Sequence, residues 1–270
     1  MAIFSGQWPH SSYALPGGVT CDPTQLEIVQ ASYIAQSLQR EFALLFGDFD
    51  IKNLQNDLKR LFDKLDELDV LYLGKGYDRF IVFGSDGYVQ NAKLLHGKIR
   101  PARFEYVQEQ EQPRSFAKRV TYKGKCYETG PLARTMIRGD TFVKQLHRRY
   151  KDSLTTRIFA RIYEAAQLLQ YIKNNLSTLD LSQESVIEAS FRDGKASIAI
   201  EAARGSLIHA VEIENQRIKN YSIITPTQWN LSNGSKLNLS LIQKALLGAP
   251  CEYTDLIFRT FDICSVCTTH

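Results

Sequence analysis

The chain has 270 residues, 44% of them hydrophobic and 23% charged, with eight prolines, a composition that excludes intrinsic disorder and allows a substantial core. Its 33 basic and 29 acidic residues leave a formal charge of +4 spread along the chain, which argues against a nucleic-acid interface; the short cluster Leu146-His147-Arg148-Arg149-Tyr150-Lys151 reads as a solvated helix face. Five cysteines at irregular spacing, no export signal and no run of about 18 apolar residues point away from a secreted disulfide scaffold or a membrane span, so a cytoplasmic location is expected, with membrane contact only through partners.

After a Pro-Gly-Gly opening, Pro23 introduces a helix with apolar residues recurring from Leu26 to Leu45, ended by Gly47-Asp48. A second helical run is expected over Ile51 to Leu68, and the two read as an antiparallel pair. Residues 70–130 change character: Phe80 to Phe83 and Phe104 to Val107 read as short β pieces, separated by glycines and followed by a charged loop from Gln108 to Arg114. Helix resumes from Ser153 to Asn175 with an apolar face broad enough for deep burial. Ile198 to Glu201, Ile208 to Ile213 and Ile218 to Ile224 then alternate as strands around Ala202-Ala203-Arg204-Gly205 and the turn at Glu214-Asn215. A last helix is expected at about Asn238 to Leu247. With no internal repeat, the pattern predicts one domain over residues 1–270 of the α+β class, mainly helical, a helix-bundle body with small antiparallel β excursions.

The closing stretch RTFDICSVCTTH carries two thiols and an imidazole within seven residues, a soft-metal pattern with too few ligands to close a site alone. The chain holds no second Cys-x-x-Cys for a tetrathiolate zinc site, and a thioredoxin-like pair normally opens a helix after a strand. By these residues alone, a shared metal site and an incidental tail stay equally open.

Longer motifs break the tie. Glu201-Ala202-Ala203-Arg204-Gly205-Ser206-Leu207-Ile208-His209, Tyr221 to Asn230 (YSIITPTQWN), and Phe261 to His270 (FDICSVCTTH) together resemble the large subunit of nickel–iron hydrogenases. Trp8-Pro9-His10 with Pro16-Gly17-Gly18-Val19-Thr20, and Tyr127-Glu128-Thr129-Gly130-Pro131-Leu132-Ala133-Arg134, are similar to two further motifs of that family. The resemblance covers essentially the whole chain, but only about the C-terminal half of a usual large subunit.

It implies a nickel–iron centre with carbon monoxide and cyanide on the iron, and a nearby magnesium or similar ion. Cys264 is implied as a terminal nickel ligand and transient proton acceptor, Cys267 as the bridge to iron, and His270 with the Ile223 carbonyl as magnesium ligands. Arg204 is implied to overhang the open side of the metals, and Thr227 to offer hydrogen bonds to a cyanide within a wall shaped by Thr225 and Pro226. Two more cysteines would come from an Arg-x-Cys-Gly-x-Cys motif in the N-terminal half of the subunit, absent here and expected from a separately encoded piece or lost by truncation. An iron–sulfur small subunit is the implied electron partner, dihydrogen the substrate, and this chain alone is expected to be inactive. The Asp-Ile-Cys-Ser-Val-Cys ending points to an uptake-type or hydrogen-sensing branch. The rivals are a sensing or assembly partner, an inert gene fragment, and a zinc module lacking two ligands.

Read without the motifs, Arg204 is a surface ion-pair partner, Trp229 and Asn230 are core and turn-capping residues, Cys21, Cys126 and Cys251 are small buried residues, and His10 and His209 are satisfied interior polar groups. Ala203 and Ile263 replace prolines of the family pattern and loosen two loops without removing a ligand.

Overall fold

The computed structural model describes residues 2–5, 13–84, 88–112, 115–188, 190, 192–235, 237–262 and 264. A short helix α1 (Ala2–Ser5) and a small hairpin, β1 (Ala14–Leu15) with β2 (Gly18–Val19), lead into the long helix α2 (Gln25–Phe46). Thr24 caps α2 through a reciprocal box: the Glu27 amide donates to the Thr24 hydroxyl, and the Thr24 amide donates to Glu27 Oε2 at 2.7 Å. Gly47, at φ 62°, ends it.

Helix α3 (Asn56–Glu67) begins five residues later than the apolar spacing predicts. The Asp50 carboxylate accepts from the Lys52 amide at 3.0 Å, and this local turn competes with helix over 51–55. Nor is α3 the main neighbour of α2, which lies along α6 (Leu154–Ser177) and is tied to it by a 2.9 Å bond from Gln39 to Gln170.

Between them come β3 (Phe80–Val82), β4 (Lys93–His96) and β5 (Lys98–Pro101), an antiparallel sheet in that order. Strand β3 is the wall between two cores. Phe80 and Val82 face the helical cluster with Leu58, Leu146, Leu154 and Phe159, while Ile81 and Phe83 face a second cluster with Tyr122, Ile208 and Trp229. The two-residue period of an extended strand makes this division.

The expected strand at Phe104 is a single 3-10 turn, and the expected charged loop is a hairpin, β6 (Val107–Gln112) with β7 (Ser115–Tyr122). Two helices follow. Pro131 opens α4 (Pro131–Arg138), which closes on left-handed Gly139 at φ 92°; α5 (Thr141–Tyr150) then buries Leu146 and Tyr150 while leaving Arg148 and Arg149 exposed, as the solvated-face reading requires.

The Ser153 hydroxyl caps α6. Deep burial holds only for its first half, where Leu154, Phe159 and Ala160 are enclosed; Ile172 near the end is 46% exposed.

Strands β8 (Gly194–Ala202), β9 (Gly205–Glu214) and β10 (Arg217–Ile224) form the expected antiparallel sheet, with Ala199 opposite Ile208 and Ile208 opposite Ile224 on the core-facing side. The last helices among the described residues are α7 (Pro226–Leu231), α8 (Leu241–Leu246) and α9 (Thr254–Thr260); sequence spacing locates only the middle one. No helix among the described residues is long and apolar enough to cross a membrane.

Candidate functional site

Four segments meet beside β3. The first is Tyr127 to Pro131, where the Glu128 carbonyl accepts from the Ile81 amide at 2.9 Å and the Glu128 amide donates to the Arg79 carbonyl at 2.8 Å. The second is the β8–β9 turn, the third is α7, and the fourth runs from Thr260 to Asp262.

Backbone contact between the first two is close. A Cβ on Gly130 would lie 2.8 Å from the Arg204 carbonyl oxygen, and one on Gly205 would lie 2.6 Å from Thr129 Cγ2. Only hydrogen fits at either position, and Gly205 also holds φ +135°. The Ser206 amide donates to Thr129 Oγ1 at 2.9 Å. Helix α7 joins through Asn230, which accepts from the Thr129 amide at 3.1 Å and donates to the Thr129 carbonyl at 3.0 Å. Asn230 is therefore a strut between segments rather than the turn cap expected of it, because its own helix ends with the amide aimed across at residue 129.

Buried charge fixes the rest. Arg157 forms a bidentate pair with Glu128, Nε to Oε1 at 2.7 Å and Nη2 to Oε2 at 2.8 Å, and donates from Nη1 to the Gly74 carbonyl at 2.6 Å. Its guanidinium lies 3.9 Å from the centre of the Phe261 ring, so this pair supports the entry to the C-terminal segment. Burial pushes the Glu128 carboxyl above the usual range, against the pull of Arg157. Arg134 is equally enclosed: burial works against its charge, yet Glu164 and Glu201 outweigh it and hold Arg134 above the ordinary arginine value.

Of the residues singled out in the sequence, Arg204 leaves its turn half-exposed and pairs with Asp262, Nε to Oδ1 at 3.7 Å. Arg161 approaches the same carboxylate at 3.9 Å, and its Nη2 donates to the Thr260 carbonyl at 2.9 Å. Thr225 caps α7 in a reciprocal box with Gln228, and Pro226 occupies the first turn, buried. Thr227 Oγ1 is buried without a hydrogen-bond partner among the described residues. Ile223 lies on the outer strand β10 opposite His209. Cys264 is half-buried, two residues past Asp262. Cys267 and His270, like Trp8-Pro9-His10, lie outside the described residues.

Trp229 is core as expected, 1% exposed and stacked on Phe83 at 5.9 Å. His209 is half-buried and bonded to the Tyr221 hydroxyl. Cys126 is buried, but Cys21 and Cys251 are exposed, because one sits in the turn before α2 and the other opens a surface 3-10 turn. Sequence reasoning passed over Asp262, Arg157 and Glu164. Asp262 stood inside a quoted motif, whereas a charge within an apolar helical run carries no local sign that it is paired in the core.

The donor set fits a soft metal group with anionic ligands. Cys264 offers a soft sulfur donor, while Thr227 Oγ1 on α7 and Arg204 Nε on the β8–β9 turn are buried polar atoms without hydrogen-bond partners among the described residues. No group of three or more His, Cys, Asp or Glu side chains that could hold a metal ion is found among the described residues.

The architecture is that of a nickel–iron hydrogenase large subunit. It superposes over 100% of this chain, and 66% of the other, on the Ni-Fe-Se hydrogenase of Desulfovibrio vulgaris Hildenborough in the reduced state, with a TM-score of 0.84 at 21% identity. The family model for nickel-dependent hydrogenases matches residues 82–270, and the chain belongs to that family. Among curated relatives, sulfhydrogenase 1 subunit alpha of Pyrococcus furiosus is 28% identical over 62% of this chain and 42% of its own length. The hydrogenase expression/formation protein HupK of Bradyrhizobium diazoefficiens is 33% identical over 52% of this chain and 44% of its own. The chain thus spans less than half the length of either relative.

Proposed function

We infer that this chain is the C-terminal portion of the catalytic large subunit of a hydrogenase and carries half of the nickel ligands. Cys264 would be the terminal nickel ligand and Cys267 the ligand shared with an iron that bears carbon monoxide and cyanide. His270 and the Ile223 carbonyl would hold magnesium or a similar ion, a hard cation for which the carbonyl oxygen is the expected kind of donor. When bound, the nickel–iron centre supplies the redox chemistry for reversible heterolytic cleavage of dihydrogen.

The chain's own groups would orient and balance charge. The Arg204 guanidinium presents a fixed positive charge to the open side of the site, anchored by Asp262. Thr227 Oγ1 would donate to a cyanide, with the capped Thr225–Pro226 turn excluding water behind it. The Cys264 thiolate would receive the released proton, since a metal-bound sulfur remains basic. The partners are the N-terminal half of the subunit with its own cysteine pair and an iron–sulfur small subunit. A cytoplasmic site of action, peripheral to a membrane only through partners, is part of this reading.

One observation carries this reading: segments distant in sequence bring Arg204, α7 and Asp262, which precedes the cysteine motif, to one place through Thr129 and Asn230. The test is nickel and iron content, with infrared detection of metal-bound carbon monoxide and cyanide, on the chain purified natively with whatever accompanies it. About one nickel per chain with those bands supports the reading; a metal-free chain in a folded complex refutes it.

The similarity to HupK favours a second reading, a partner in hydrogenase formation. A catalytic role predicts nickel kept in a complex that consumes dihydrogen. A formation role predicts a nickel-free chain whose deletion blocks maturation of a separate hydrogenase.

A further inference from the structure

Arg134 lies on α4, 3% exposed, and every one of its five N–H donors is engaged. Nε and one Nη2 proton bind Glu164 of α6, at 2.8 and 2.6 Å. One Nη1 proton binds Glu201 Oε2 at 3.1 Å. The remaining two reach the backbone: Nη1 donates to the Ala202 carbonyl at 2.9 Å and Nη2 to the Ala203 carbonyl at 2.9 Å. These are the two residues immediately before Arg204.

The acceptors are held in turn. Glu201 Oε1 accepts from the amides of Phe83 and Gly84, at 3.1 and 3.3 Å, and from the Ser206 hydroxyl, so its carboxylate spans both ends of the turn. On the other side, Thr129 and Gly130 close against Gly205 with no room for a Cβ. One short stretch, Thr129 to Arg134, therefore grips the 202–206 turn from both sides, and the side chain of Arg204 emerges from it toward Asp262.

We propose that Arg134 is a positioning residue that fixes the direction of Arg204 by clamping the Ala202 and Ala203 carbonyls. A helix-mounted fork fixed by two carboxylates resists rotation of those peptide planes, which a lysine with three donors on a flexible stem cannot do. This rests on the reading above only in what Arg204 is for; the clamp itself is a property of this chain.

The test follows the reactivity of Arg204 toward phenylglyoxal, read by peptide mass spectrometry on the natively purified chain with its partners. R134Q is expected to raise Arg204 labelling about tenfold, the effect of losing a charged hydrogen bond, and R134K severalfold. V143A, which opens a cavity at a fully buried residue of α5, controls for general loosening and should leave labelling within about twofold of wild type. Equal labelling in R134Q, R134K and V143A overturns the proposal, as does a crystal structure of the wild-type chain with Arg134 turned away from the two carbonyls. That structure decides the matter even where the variants fail to fold. Raised labelling in a chain that never binds nickel upholds the clamp and refutes the hydrogenase reading; nickel bound with labelling unchanged does the reverse.

Discussion

Arg204 and Asp262 come from different motifs, yet the Arg204 Nε stands 3.7 Å from Asp262 Oδ1, and the same carboxylate faces Arg161 at 3.9 Å. Their side chains are 42% and 31% exposed, so the pair adds no more than about 1 kcal/mol to stability. D262N should therefore shift the melting temperature by under about 5 °C. In a complete assembly it should cut dihydrogen uptake by roughly tenfold or more with nickel content unchanged, because an unanchored guanidinium loses its preorganisation. Normal uptake by D262N would remove Asp262 from the site.

Thr227 offers a test whose sign depends on what is bound. A buried hydroxyl without a partner costs about 1 kcal/mol or more, so T227V, nearly equal in volume, should leave the isolated chain as stable or more stable in urea titrations. In the metal-loaded assembly the same change should shift a cyanide infrared band. A marked loss of stability in the isolated chain would show that the hydroxyl has a structural role.

The proposed nickel ligands are tested by C264S and C267S, each of which should abolish nickel retention in an otherwise active assembly, since a hydroxyl is a poor ligand for a soft metal. Nickel retained at wild-type level with normal turnover refutes the ligand assignment.

G205A adds a Cβ 2.6 Å from Thr129 Cγ2 and 2.8 Å from the Gly130 amide nitrogen at φ +135°. The expected cost is on the order of 3 kcal/mol in urea unfolding, from strain and overpacking together. An unchanged midpoint would mean that the two motif turns do not pack as described.

The fold also carries a pH dependence through Asp78, whose carboxylate contacts His147 Nε2 at 2.7 Å and ties the 74–79 loop to α5. The His147 hydrogen bond lowers the Asp78 carboxyl below its usual value. A carboxylate held lower in the folded state stabilises fully above its unfolded value, near 3.9, and loses that contribution as pH falls through the folded one. The melting-temperature gap between wild type and D78N should accordingly be constant from about pH 5 to 6 and close as pH drops below about 4. A gap that widens in acid would contradict the assignment.

Several elements were legible because their signals are local. Pro23 and Gly47 bracket α2 on their own, the structure adding the Thr24–Glu27 cap between them, and Ser153 starts α6. The alternation from Ile198 to Ile224 read correctly as three strands, since residues two apart share a face whatever packs on it. The β6–β7 hairpin was hidden because its Gln- and Glu-rich strand reads as a loop; only pairing with β7, which sets Glu109 opposite Val120 and Gln110 opposite Arg119, makes it extended. Helix α4 was hidden for the opposite reason, since Arg134 interrupts its apolar pattern while being among the most enclosed residues of the core.

The sequence by itself determined the chemistry on offer: thiols at Cys264 and Cys267, an arginine before Gly205, the Thr225-Pro226-Thr227 stretch, and the motif order that marks the family. It also determined the strand and helix types wherever caps and periodicity sufficed. Which of those groups meet was decided by tertiary structure alone. Arg204 faces Asp262, Asn230 braces Thr129, and Arg134 holds the turn before Arg204 through carbonyls that carry no sequence identity. The physical reason is that a buried charge is tolerable only where its partners converge from distant segments, and neither spacing nor composition records that convergence.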